Sequence, residues 1–149
     1  MKTIASFTVD HDKLEPGIYI SRIDGDVTTF DLRTRKPNAG EYMDTITMHS
    51  VEHMLATLLR NSEIGSQIIY FGPMGCRTGF YLLTRDVSPE KVLCVLKKAL
   101  SDTVEHKGKV YGAYKKQCGN YKELSASAAR KEAKRYLKVL NAKEQTFQY

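Results

Sequence analysis

Residues 49–53 read His-Ser-Val-Glu-His. In a helix each residue advances about 100°, so Glu52 lies at about −60° and His53 at about +40° from His49, and the three side chains share one face. Two imidazoles one turn apart can converge on one cation, and a carboxylate between them reaches the adjoining position as an acid or base without being a ligand. That combination suits metal-assisted proton transfer. Such a site wants a third ligand, and the chain carries three thiols, Cys76, Cys94 and Cys118. Histidine and thiolate together suit a borderline metal such as Zn(II) or Fe(II). Three protein ligands would leave a position open for chemistry, whereas four would close the site and make it structural.

The cysteines differ in setting. Cys94 stands among Val92, Leu93 and Leu96 and reads as a small buried or half-buried residue of a helix. Cys76 lies in GPMGCRTG, a turn open to approach, with Arg77 beside it to favour a charged sulfur. Cys118 lies in QCGNY, where glycine lets the backbone come close and lysines are near. Spacing alone leaves open which of Cys76 and Cys118 binds metal and which does chemistry. His-x-x-Glu-His is also the inverzincin pattern, so a metallopeptidase with a distant carboxylate ligand, Glu123 or Glu132, is the alternative. A non-catalytic, metal-stabilised interaction module with four closed ligands is a third.

These residues need elements to hold them. GIYISRIDGDVTTFDLR reads as two strands about Asp24-Gly25, and SFTVDH before it looks extended. After Pro37-Asn38-Ala39-Gly40, Asp44 or Thr45 caps a helix with Met48, Val51, Leu55, Leu58 and Leu59 on its apolar face, closed by Gly65. QIIYF and FYLLT read as strands on either side of the Cys76 turn. Ser88-Pro89-Glu90 starts a helix to about His106, with Val92, Leu96, Ala99 and Leu100 inward. A last helix runs from about Ser125 to Leu140, with Ala129, Ala133, Tyr136, Leu137 and Leu140 inward. The pattern predicts one domain over residues 1–149, α+β, with a mainly antiparallel sheet packed against helices.

Composition agrees with a globular domain: 149 residues, 42% hydrophobic and 27% charged, with no run long enough to span a membrane. MKTIASFTVDH has no apolar run of signal-peptide length, so a cytoplasmic location with reduced thiols is expected. The net charge of +6 owes much to Arg130, Lys131, Lys134, Arg135, Lys138 and Lys143. Without aromatic interleaving these read as a solvated helix face rather than a nucleic-acid surface.

HSVEHMLA, PMGCRTGFY and QCG, in this order, with SFTVDH near the start and FDLR ahead of Pro37-Asn38, closely resemble the LuxS family of S-ribosylhomocysteine lyases over roughly residues 4–125. The resemblance implies a homodimeric α+β enzyme with active sites at the interface. It implies Fe(II), replaceable by zinc or cobalt, held by His49, His53 and Cys118, with Cys76 as catalytic thiol and Glu52 as catalytic carboxylate. Ser6, His11 and Arg33 match substrate contacts, with the N-terminal segment reaching across the interface. The implied reaction splits S-ribosylhomocysteine into homocysteine and 4,5-dihydroxy-2,3-pentanedione, the precursor of a quorum-sensing autoinducer. Moving the sugar carbonyl from C1 to C3 requires protons to be removed beside a carbonyl, where a Lewis acid stabilises the enediolates. The C5 sulfur then leaves by β-elimination. The chain departs from the family pattern at Thr34-Arg35-Lys36, where an aromatic residue and a cysteine follow the arginine, and at Tyr70-Phe71-Gly72, where Asp-x-Ser precedes Pro-Met. Both positions bear on how substrate is gripped, not on the reaction class.

Overall fold

The two runs about Asp24-Gly25 pair antiparallel as β1 (Gly17–Asp24) and β2 (Val27–Arg33) in the computed structural model, which describes Met1–Tyr149. Gly25, at φ +61°, supplies the left-handed conformation that the tight turn needs. QIIYF and FYLLT become parts of β3 (Ile68–Pro73) and β4 (Gly79–Arg85), and the sheet order is β1-β2-β4-β3 with every neighbouring pair antiparallel. β2 runs in register with β4 from Val27 opposite Arg85 to Arg33 opposite Gly79. This register delivers Arg33 to the turn that carries Cys76. It also explains Gly79, because a Cβ there would come within 2.5 Å of the Leu32 carbonyl oxygen.

α1 (Thr45–Arg60) and α3 (Ala126–Ala142) pack on the sheet, and α2 (Pro89–Glu105) packs against both of these helices. Each begins on a side-chain cap: the Asp44 carboxylate accepts from the Thr47 amide, Ser88 from Lys91 and Ser125 from Ala128. Strand residues alternate between faces, so Ile18, Phe30, Leu32, Phe80 and Leu82 meet the helices in one core cluster of 23 buried residues. Asp31 and Arg33 therefore belong to the opposite face of β2. The result is the expected α+β arrangement with an antiparallel sheet. No helix is long and apolar enough to cross a membrane.

Several expectations are corrected. SFTVDH is not a strand: Ala5–Phe7 forms a 3-10 turn, and the chain then bends, with the ring of His11 turned to the Val9 carbonyl oxygen at 2.8 Å. α1 stops at Arg60, ahead of Gly65, because Asn61 caps it, its backbone and side-chain nitrogens both donating to the Thr57 carbonyl. Gly65 serves a close approach instead, since a Cβ there would meet the Arg60 carbonyl at 2.1 Å. Cys94 is exposed, because Val92, Val95 and Leu96 take the inward positions of α2. On α3, Lys131, Lys134, Arg135 and Lys138 are solvated as expected, but Glu132 is buried on the inner stripe. Arg35 makes that burial tolerable by donating twice to Glu132, at 2.9 and 2.6 Å.

Candidate metal centre and catalytic thiol

α1 presents His49 and His53 one turn apart, and their Nε2 atoms face each other at 3.1 Å. The Cys118 sulfur completes the group at 3.4 Å from His49 Nε2, and the three donor atoms all lie within 4.8 Å of one another. Each ring is fixed from behind. His49 Nδ1 is 2.6 Å from Glu123 Oε1, and His53 Nδ1 is 2.8 Å from the Tyr111 carbonyl oxygen. A carboxylate and a carbonyl accept, so both rings carry their proton on Nδ1 and direct an Nε2 lone pair into the same space.

Two opposed lone pairs and a sulfur are a poor arrangement for a vacant protein and a good one for a cation. Ideal tetrahedral zinc places two imidazole nitrogens roughly 3.3 Å apart and nitrogen and sulfur roughly 3.6 Å apart. The observed 3.1 and 3.4 Å fit. Three ligands of this kind match the open, catalytic class of site.

The loop bearing Cys118 is fastened to the histidine helix by adjacent residues. Ser50 is fully buried and its hydroxyl accepts from the Ser125 amide at 2.8 Å, next to the His49–Glu123 bond. The Asn120 amide points at the Cys118 sulfur at 3.4 Å, the contact expected to steady a thiolate. Gly112 has φ +72°, and a Cβ there would stand 3.0 Å from His53 Nδ1. Its absence lets the Tyr111 carbonyl reach the ring. Tyr111, Gly112 and Ser50 were not singled out from the sequence. The only local signal was a glycine in an irregular stretch, and none for a backbone carbonyl.

Neither carboxylate of the metallopeptidase alternative joins the donor group. Glu123 sits on the far nitrogen of His49, and Glu132 is consumed by Arg35. Glu52 is half-buried on α1, and its carboxylate has neither an ion pair nor a side-chain hydrogen bond.

Cys76 occupies the β3–β4 turn and is exposed, as the glycines around it suggested. The cation against it is not Arg77, whose guanidinium turns to the Tyr42 ring and the Met43 carbonyl. Arg33 takes that place: Nη1 lies 3.8 Å from the sulfur and donates to Thr78 Oγ1 at 2.8 Å, while the Thr78 hydroxyl is 3.1 Å from the sulfur. Arg33 is not a surface residue either. It is 2% exposed and paired with Asp31 through Nη2 at 2.6 Å. Burial works against its charge, but the Asp31 hydrogen bond and charge outweigh it and hold the guanidinium above its ordinary value.

Ser6 and His11 lie in the N-terminal segment and make no hydrogen bond to the metal group or to Cys76. Beside that segment, a groove of about 610 Å³ runs between residues 9–19 and 143–149 and is lined by none of His49, Glu52, His53, Cys76 and Cys118. The two sequence departures are absorbed structurally. Thr34 is buried, with its hydroxyl donating to the Thr78 carbonyl, Arg35 holds Glu132, and Lys36 pairs with Glu15. Tyr70 and Gly72 form a unit, because the Tyr70 phenol lies where a Cβ of residue 72 would stand.

Comparison with known proteins agrees with this arrangement. The family model described as S-Ribosylhomocysteinase (LuxS) matches residues 4–147. The chain is 44% identical to an S-ribosylhomocysteine lyase of Borreliella burgdorferi strain ZS7, covering 100% of this chain and 99% of that one. It is 44% identical to one of Finegoldia magna (95% and 93% covered) and 41% identical to one of Clostridium beijerinckii (100% and 99%). The match spans the N-terminal segment, the histidine helix, both cysteine loops and the whole of α3, and on that basis the chain belongs to the LuxS family of S-ribosylhomocysteinases.

Proposed function

We propose that this chain is a metal-dependent carbon–sulfur lyase that cleaves S-ribosylhomocysteine to homocysteine and 4,5-dihydroxy-2,3-pentanedione. The observation that carries the reading is the convergence of His49 Nε2, His53 Nε2 and the Cys118 sulfur, with both other ring nitrogens already engaged. A metal held by these three residues, Fe(II) in our reading with zinc or cobalt as substitutes, would supply Lewis acidity to the sugar oxygens.

The side chains do the proton work. The Cys76 sulfur, steadied by Arg33 and Thr78, takes and returns the protons that move the carbonyl from C1 toward C3. Glu52, unpaired on the histidine helix, takes the later proton from C4, and the C5–S bond breaks with the electron pair leaving on sulfur. That sulfur acquires a proton and departs as homocysteine. Arg33 also offers its cation to the substrate. Ser6 and His11, which make no hydrogen bond to His49, His53 or Cys118 within one chain, complete the site of a second copy, which makes the enzyme a homodimer. The other product is the precursor of a quorum-sensing autoinducer, and the chain works in the cytoplasm.

The test is anaerobic incubation of Fe(II)-loaded protein with S-ribosylhomocysteine, following free thiol. Wild type releases thiol. Cys76→Ala and Glu52→Gln lose roughly a hundredfold or more of the rate while retaining metal, and Cys118→Ala loses the metal as well. No thiol release from fully metallated wild type overturns the reading.

A further inference from the structure

Beyond α3 the chain returns along β1. The Ile20 amide donates to the Phe147 carbonyl at 2.8 Å, and the Ile18 amide donates to Gln145 Oε1 at 3.2 Å. Phe147 has φ +62°, a conformation that side chains rarely adopt, and the chain turns there to lay Tyr149 on Tyr19, with ring centroids 5.0 Å apart and planes 13° from parallel. The Tyr149 hydroxyl then donates to Asp31 Oδ2 at 2.8 Å, the oxygen that also accepts from Arg33 Nη2. The Tyr149 side chain is half exposed, and partial burial first and then the Asp31 charge raise its phenol above the ordinary value.

The Asp31–Arg33 pair is not in its most favourable form. Asp31 Oδ1 and Arg33 Nε, an acceptor and a donor, are both buried and both without a partner. A guanidinium and a carboxylate prefer two parallel bonds, which here would join Nε to Oδ1 and Nη2 to Oδ2. The phenol is a second donor on Oδ2, and in the arrangement present Nη2 is anchored there while Nη1 is directed at Thr78 and Cys76.

We propose that Tyr149 is a positioning residue for the catalytic thiol: through Asp31 it keeps the Arg33 guanidinium turned toward Cys76. This rests on the reading above that Cys76 performs the proton transfers. Without the hydroxyl, the pair closes into its fork and Arg33 withdraws from the sulfur.

Tyr149→Phe keeps the ring on Tyr19 and removes only the hydroxyl, and it is compared with wild type as metal-loaded full-length protein. Two quantities are measured: the rate of Cys76 alkylation by iodoacetamide at pH 7 without substrate, resolved from Cys94 by peptide mapping, and kcat and KM for thiol release. Loss of one hydrogen bond to a charged group predicts roughly three- to tenfold slower alkylation and a similar fall in kcat. Metal content stays unchanged and KM moves less than the rate. A chain ending at Gln148 behaves like Tyr149→Phe. Alkylation and kcat equal to wild type overturn the proposal, as does a rise in KM with alkylation unchanged, which would make Tyr149 a substrate contact. If wild type releases no thiol but Tyr149→Phe still slows alkylation, the proposed function fails and the positioning role stands.

Discussion

Replacing Glu123 with glutamine tests whether the candidate ligands are supported from behind as the geometry indicates. The bond from His49 Nδ1 to Glu123 is 2.6 Å long, and the side chains are 19% and 26% exposed. A hydrogen bond to a charged group contributes about 1.5–3 kcal/mol and a neutral one about 0.5–1.5. Glutamine keeps a neutral acceptor, and partial exposure screens the charge, so about 1.4 kcal/mol should be lost, or roughly tenfold in metal affinity. That lies at the low end of the 10–100-fold range typical of residues that orient metal ligands. Anaerobic competition against a chromogenic chelator measures it, with one metal per chain retained. Affinity within twofold of wild type would refute the supporting role. Complete loss of metal, as in Cys118→Ala, would make Glu123 a ligand and return the metallopeptidase arrangement to contention.

Three further outcomes follow from the structure. Gly112→Ala places a Cβ at φ +72° within 3.0 Å of the His53 ring, so metal affinity should fall several-fold and the stability read from urea unfolding should fall by roughly 1–2 kcal/mol; an unchanged affinity would show that the Tyr111 carbonyl is dispensable. Arg35→Ala strands Glu132, whose side chain is 3% exposed, and should cost roughly 3 kcal/mol in urea unfolding; a cost under about 0.5 would mean that water replaces the arginine. Asp44→Ala removes the α1 cap and should cost about 1 kcal/mol at pH 7. The Thr47 amide holds the Asp44 carboxyl below its ordinary value, so its contribution is complete above about pH 4 and is lost as the pH falls through the lowered folded value. The difference between wild type and Asp44→Ala should therefore shrink in acid, and a difference that grows there would contradict the capping assignment.

Features written in short windows of sequence were legible. The cap at Ser88, the cap at Asp44 or Thr45 that proves to be Asp44, a last helix starting near Ser125, the Asp24-Gly25 hairpin and the helical phase of His49, Glu52 and His53 all come from local spacing, and all are present. Features that depend on a distant partner were not. Arg33 reads from sequence as a match to a substrate contact, and nothing near it shows that the β2–β4 register buries it beside a turn 43 residues away. Glu132 reads from sequence as a candidate distant carboxylate ligand until Arg35 is found against it. Glu123 has the right chemistry for a ligand, and only the orientation of the imidazole shows that it meets the His49 nitrogen facing away from His53 and Cys118.

The short motif on α1 does more than supply two ligands. His49 and Ser50 both bond to the stretch that follows Cys118, one through Glu123 and one through the Ser125 amide, which also begins α3. The residue that would bind the metal and its neighbour therefore also set where the third ligand stands, so ligand geometry and α1–α3 packing are not independent. Glu52, on the same turn, makes no such bond. A helix turn with two members fixed at both ends and one left unpaired is suited to hold an ion still while a proton moves beside it.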